Sequence, residues 1–336
     1  MQSGHNWARI LSTALVAGGL LLSVFPRVAH CQITPQQVTE LREAIGDRIE
    51  ALTILGGDFG LAGGTFRSTG KFSFGESTNT SLSVSKLGGA GDIGDIQPFF
   101  GLNVGWQPSV QGNMGGTHAS VTIPTGQLAG DVSTLDAKGI EFGGGVRLWF
   151  TDSFSVAPSI MGLYGHAYES YTANSAFMKA NLPQAEQAGL VNWNVDTLTI
   201  VTSVGFQYIF RWNRTIITLS SIPTYFDTES LRSSNPNVYV KGTSTTFANM
   251  VDVDMPLRWQ LFHHELRTGG YIRRSDLYGG LKSGLNENYI YEAHGRVVLD
   301  FLNQLWKVQW LGIGASYLWG QNITGWTAGV DAVFRF

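Results

Sequence analysis

Long runs of strict period-two alternation constrain this chain more than any other feature. Leu198, Ile200, Val204, Phe206, Tyr208 and Phe210 oppose Thr197, Thr199, Ser203 and Gln207. Phe247, Val251, Val253, Met255, Leu257, Trp259 and Leu261 oppose Asp252, Asp254, Arg258 and Gln260, and Tyr289, Tyr291, Val297, Leu299 and Phe301 oppose Glu292, His294, Arg296 and Asp300. Side chains separated by two residues share one face of an extended strand. Each run therefore predicts a strand with one apolar and one polar face. Their length is the second constraint, because soluble strands usually stop after about five or six residues.

A strand that crosses lipid needs about 9–11 residues. About twelve such segments are expected, near 53–69, 78–89, 96–111, 135–150, 154–171, 193–212, 214–230, 245–262, 264–278, 287–303, 306–320 and 322–336. In 306–320 the parity slips between Trp310 and Leu311, as at a bulge. The connections alternate in length. Phe150–Ser153, Arg211–Arg214, Phe262–His264 and Asn303–Leu305 are tight, whereas QGNMGGTHASVTIPTGQLAGD, TANSAFMKANLPQAEQAG and RSSNPNVYVKGTST are long and polar. Short turns at one end and long loops at the other belong to membrane barrels. Trp149, Trp212, Trp259, Trp310 and Phe336 are candidates for an aromatic girdle.

Composition agrees, with 14% charged residues against about 25% in ordinary soluble domains. A formal net charge of −3 leaves no basic footprint for nucleic acid. The expected fold class is all-β: a transmembrane antiparallel β-barrel of about twelve strands with an N-terminal α-helix in or beneath the lumen. A large soluble β-sandwich is the rival architecture, disfavoured by the extent of the apolar stripes.

Residues 1–31 read as a signal peptide: Arg9, the run Ile10–Phe25, then Pro26 and the Ala29-His30-Cys31 site. The apolar run is too short to span a bilayer as a helix. Cleavage after Cys31 removes the single cysteine and, with Arg9 and Arg27, shifts the formal charge from −3 to −5. Residues 32–55 form the next unit: Thr34 as cap, Pro35 at the first turn, Gln37 closing a capping box, and Val38, Leu41, Ile45, Ile49 and Leu52 at helical spacing before Gly56-Gly57. Residues 56–336 are the expected barrel domain.

A signal peptide, one helix and about twelve strands ending in Phe334-Arg335-Phe336 resemble the translocator domain of bacterial autotransporters. The resemblance implies that the helix occupies the lumen and that Phe334 and Phe336 form the signal read by the barrel assembly machinery. It also implies the bacterial outer membrane as location and its lipid as surroundings. The departure is at the N-terminus, where only Gln32 and Ile33 separate the expected cleavage site from the helix cap, so no passenger is expected.

Chemistry is sparse in the text. GGAGDIG carries Gly89, Gly91 and Gly94 at dinucleotide-loop spacing, but the strand-like QPFFGLNVGW follows where a phosphate loop needs a helix. None of the five histidines after the cleavage site has zinc spacing, and no G-x-S-x-G occurs. No cofactor, no metal and no enzymatic activity are expected. The alternatives are an outer-membrane hydrolase with a rim or lumen site, for which the surroundings of His166 are the place to look, and an adhesin acting through the outer loops.

The inward charges carry more information. Glu141, Arg147, Asp252, Asp254, Arg258, Glu292, His294, Arg296, Asp300, Asp331 and Arg335 fall on lumen faces by parity. Two readings fit them equally: a polar path for small solutes, or ion pairs that pack the interior and grip the helix. The expected function is a narrow channel or a structural surface protein.

Overall fold

The computed structural model describes residues 35–57, 64–68, 80–94, 96–98, 104–122, 129–305 and 308–334. Helix α1 (Pro35–Gly57) precedes β1 (Gly64–Ser68), β2 (Thr80–Asp92), β3 (Gln97–Pro98), β4 (Gly105–Thr122), β5 (Val132–Trp149) and β6 (Phe154–Thr172). Helix α2 (Ala176–Gln187) follows, then β7 (Asn194–Trp212), β8 (Thr215–Ser233), β9 (Lys241–Leu261), β10 (His264–Gly279), α3 (Gly280–Leu285), β11 (Tyr289–Leu305), β12 (Val308–Gly320) and β13 (Ile323–Phe334). The expected signal segment 1–31, Arg335 and Phe336 lie outside the described residues.

The strands run antiparallel to their neighbours from β4 to β13, and β1 pairs with both β13 and β2 while β2 pairs with β4. Those pairings close the sheet on itself. The two-residue β3 continues β2 beyond an irregularity along β4, since Asp92 opposes Ser109 and Gln97 opposes Trp106. Among the described residues, twelve staves therefore form the wall. Closure satisfies the backbone groups that hydrocarbon leaves without partners.

Alternation decides which face meets lipid. Leu198, Ile200, Phe206, Tyr208 and Phe210 of β7 are exposed, whereas Val195, Thr197, Thr199 and Val201 are buried. Trp259, Ile313 and Val330 point outward in the same way, each about 70% exposed (72%, 70% and 71%). Trp212 joins this outer band. Trp149 and Trp310 do not join a girdle, because Arg147 stacks over Trp149 and Arg296 over Trp310 on the inner face.

Several sequence expectations need correction. The loop expected at QGNMGGTHASVT is strand, and the strand expected at 96–111 breaks within that range before β4 begins at Gly105. The inner face of β4 carries Gln107, Ser109, Gln111, Asn113 and Thr117, so its apolar contrast is weak. Residues 53–57 expected in a first strand continue α1, because Ile54 and Leu55 remain packed in the interior. The stretch GGAGD is the end of β2, followed by Gly94 with φ +71°. The loop after β6 contains α2, capped by Ser175 and interrupted by Pro183. The irregularity in β12 lies between Val308 and Trp310.

At one end the strands are joined by tight turns. Phe262 and His263 form a two-residue turn with φ of 52° and 66°. Positive φ at both central residues is the hairpin geometry that Asn-Gly adopts without strain, and a bulky residue there is under steric strain. Replacing Phe262-His263 by Asn-Gly is expected to stabilise the barrel by about 1 kcal/mol or more. The urea midpoint of unfolding, with the slope unchanged, is the measurement, and an unaltered or lower midpoint contradicts the strain argument.

Candidate functional site: the occupied lumen

The C-terminal half of α1 is apolar on several sides, with Ile49, Ala51, Leu52, Ile54 and Leu55 all buried. A helix that is greasy around much of its circumference needs neighbours around much of its circumference. It finds them inside the barrel. Leu135, Leu163, Val195, Phe226, Val240, Leu277 and Leu318 belong to the same cluster, and most of them lie near the strand ends that carry the long loops. Helix α3 folds in from the β10–β11 connection and packs on α1, with Leu281 fully buried.

Burying the four large aliphatic side chains of this half-helix is worth roughly 1.5–3 kcal/mol each. That gain must offset one costly guest, Glu50, which is fully buried in the same segment. Its carboxylate accepts from Ser244 Oγ at 2.6 Å, and Ser244 Oγ accepts in turn from Leu281 N at 2.8 Å. One serine thereby ties α1 to β9 and α3. A Cβ at either Gly242 or Gly280 would collide with Glu50 Oε2, so these two glycines shape the seat. Oε2 itself is buried with no hydrogen-bond partner. Burial pushes the carboxyl of Glu50 up to about 7, opposed by the Ser244 hydrogen bond and reinforced by the charges of Asp47 and Asp227. A neutral carboxyl suits such a seat better than an ion. Further along α1, Thr117 Oγ1 donates to the carbonyl of Leu52 at 3.3 Å.

Toward the turn end, the inner wall changes from aliphatic to charged. Asp254 is bound by Arg267, whose other side lies 3.9 Å from Asp300. Arg296 contacts Asp252 at 2.9 Å and Asp254 at 3.9 Å. Arg147 lies 3.3 Å from Asp92 and donates to Gln207. Higher on the wall, Glu292 is buried between Arg273 at 2.5 Å and Tyr271 OH at 2.8 Å. His294 bonds Ser316 at 2.8 Å and stacks on Tyr271 with ring centroids 4.7 Å apart. Glu141 is buried and accepts from Gln111 and Asn113, each at 3.3 Å.

The structure thus brings Asp252, Asp254, Arg296 and Asp300 into one network and places Glu292 with His294 in a second, linked through Tyr271. Glu141 and Arg147 stand on another part of the wall. Arg258 is exposed at the turn end, in the irregular stretch where Glu265 pairs with Gln260 and Arg267 already with Pro256. Asp331 falls opposite Gly312 and Phe334 opposite Val308 in β13.

Sequence reasoning missed Arg267, Tyr271 and Arg273, although they share a parity in β10; the Gly269-Gly270 pair between them dilutes the alternation. It also missed Glu50. The signal for that residue was a lone acid among Ile49, Ala51, Leu52, Ile54 and Leu55.

The profile of a family described as "Solitary outer membrane autotransporter beta-barrel domain" matches residues 101–329, more than half of the chain. The chain is similar to the beta domain of the Bordetella autotransporter BrkA, at 15% identity over 81% of this chain and 97% of that one, with a TM-score of 0.49. It is similar to the transport unit of the autotransporter AIDA-I from Escherichia coli, at 12% identity over 85% and 97%, with a TM-score of 0.48. The translocator domain of NalP from Neisseria meningitidis aligns at 11% identity over 87% and 94%, with a TM-score of 0.43. No curated protein matches the sequence. With the family profile spanning β4 to β13 of a closed antiparallel wall, the chain belongs to the solitary outer-membrane autotransporter β-barrel family, a family of the bacterial outer membrane.

Proposed function

We propose that this barrel is a surface membrane protein whose own helix stoppers its lumen, leaving at most a narrow solute path when the helix is displaced. The observation that carries this reading is the seat of α1: an aliphatic cluster at the loop end and a buried carboxylate fitted between Gly242, Gly280 and Ser244. The paired charges on the turn-end wall then serve chiefly to fill and brace the interior, because nearly every acid named there already has a basic or amide neighbour. Lipid of the outer membrane surrounds the wall. Phe334 and Phe336 are the end that the assembly machinery reads, small solutes are the candidate cargo, and the lumen has no catalytic task. Residues 1–31 are removed on export.

Planar-bilayer recording tests the stopper directly. Residues 32–336 are expected to conduct weakly, and a chain starting at residue 58 several-fold more. Equal conductance from the two overturns the proposal.

Glu50 adds a pH dependence with a defined sign. Its ordinary value is 4.5 and its seated value about 7, so the seat binds a proton that the displaced helix releases. Docking of α1 is fully favoured below about pH 4.5 and weakens as pH rises toward and through about 7. Conductance of the 32–336 chain is therefore expected to rise between pH 5 and pH 8, and Glu50→Gln is expected to hold it low throughout. A rise of the same size in Glu50→Gln assigns the dependence to other groups.

A further inference from the structure

The outer face holds an arrangement that the lumen does not use. Ser83 of β2 stands directly opposite His118 of β4, and His118 directly opposite Asp136 of β5. All three share the outward parity: Ser83 is exposed between buried Leu82 and Val84, and His118 and Asp136 lie on the face of exposed Met114 and Ile140. His118 Nδ1 is 2.7 Å from Asp136 Oδ1, with the histidine side chain half exposed. Tyr168 of β6 stands directly opposite Asp136 on the far side.

The imidazole has fixed geometry. With Nδ1 turned to Asp136 on β5, Nε2 is the ring nitrogen left available to a group on the other side, and there Ser83 of β2 is the residue paired with His118. Directly opposed residues of an antiparallel pair have Cβ atoms about 4.5–5.5 Å apart. That spacing makes the two side chains neighbours on one face, so a rotation of the serine and the imidazole brings hydroxyl and ring nitrogen together when substrate binds. An acid orienting a base, and a hydroxyl on the base's other side, is the constellation of an activated serine nucleophile.

Its height on the wall indicates the substrate. Asp136 lies four residues inside the loop end of β5, roughly 13 Å along the strand. Beyond it toward the turn end the outward residues are Lys138 and then Ile140 and Phe142, all exposed. The row therefore sits on the polar side of that boundary, two outward positions from Ile140, where headgroups and the ester ends of membrane lipid meet the wall.

The geometry points to Ser83, His118 and Asp136 as an acyl-ester hydrolase site on the outer face of the barrel, acting on glycerolipids of the surrounding membrane. Ser83 Oγ adds to the ester carbonyl while His118 Nε2 takes its proton, and Asp136 holds the Nδ1 proton. The carbon–oxygen bond to the glycerol then breaks, and the alcohol leaves with the proton from His118. Water, deprotonated by His118, cleaves the acyl-serine, releases the fatty acid and restores the hydroxyl.

A second pair, His166 with Asp196 at 2.7 Å, provides an internal comparison. Opposite His166 on its other side stands Lys138, which offers no hydroxyl.

The test uses barrel extracted from membranes in detergent, with a glycerophospholipid carrying a fluorogenic acyl ester in mixed micelles. Turnover is expected, falling at least 100-fold in Ser83→Ala and His118→Ala, and staying within twofold in His166→Ala and Ser85→Ala. Heat-dependent gel migration verifies that each variant is a folded barrel. A fluorophosphonate adduct mapped to Ser83 in the unaltered chain supports the site without any variant. Absence of both turnover and adduct, or turnover that persists in Ser83→Ala, overturns it.

Discussion

Inside hydrocarbon every peptide N–H and C=O needs a protein partner, and the whole molecule follows from meeting that demand. The ring does so with strands of twelve to twenty-one residues almost everywhere. Among the described residues, β1 and the two-residue β3 are shorter, and Gly64–Ser68 pairs with β13 on one side and β2 on the other. This seam follows the helix that fills the lumen in chain order. Chain order places the stopper and the closing strand next to each other, so docking α1 restricts where β1 begins.

A closed ring of twelve strands creates an interior wider than its own side chains fill. Two solutions share that space. Near the loops, aliphatic residues of the wall meet an aliphatic helix, and the hydrophobic gain holds it there. Toward the turns, acids and arginines face one another across neighbouring strands, as in Asp254–Arg267 and Asp252–Arg296. Glu50 belongs chemically to the second zone but is buried in the first, which is why burial raises its carboxyl toward about 7 while the acids of the wall face arginines. The glycines at 242 and 280 are the complement of that choice, since any larger residue would occupy the space of the carboxylate.

How legible was this in the text? Outward faces were, because lipid imposes one chemistry on every second residue; β7, β9 and β11 follow the written alternation closely. Tight turns were legible too, as at Asn213 and Phe262-His263. Inner faces were harder. The wall of β4 meets a helix and glycines, so polar and small residues occupy it and the segment reads as loop. Helix α2 was hidden by Pro183, and the Glu50 seat joins residues 50, 244 and 280, which no local pattern connects. The row Ser83, His118 and Asp136 was invisible for the same reason. It exists only in the register of three strands, and the sequence directed attention to His166, whose opposite neighbour is a lysine.

The placement of outward polar groups follows from lipid thickness. On β7 the apolar outward run extends from Leu198 to Phe210. Twelve steps of about 3.3 Å at a tilt near 40° span about 30 Å, close to the hydrocarbon thickness of a bilayer. Asp196, His166 and Arg274 with Asp276 therefore fall just beyond the loop-side edge of that band. An ionisable residue deeper in the band would lose its hydration without a partner to replace it. The loop-side edge is thus a level of the outer wall where histidine and aspartate share a surface with lipid, and Ser83, His118 and Asp136 stand one row beyond the Lys138–His166 pair on that side.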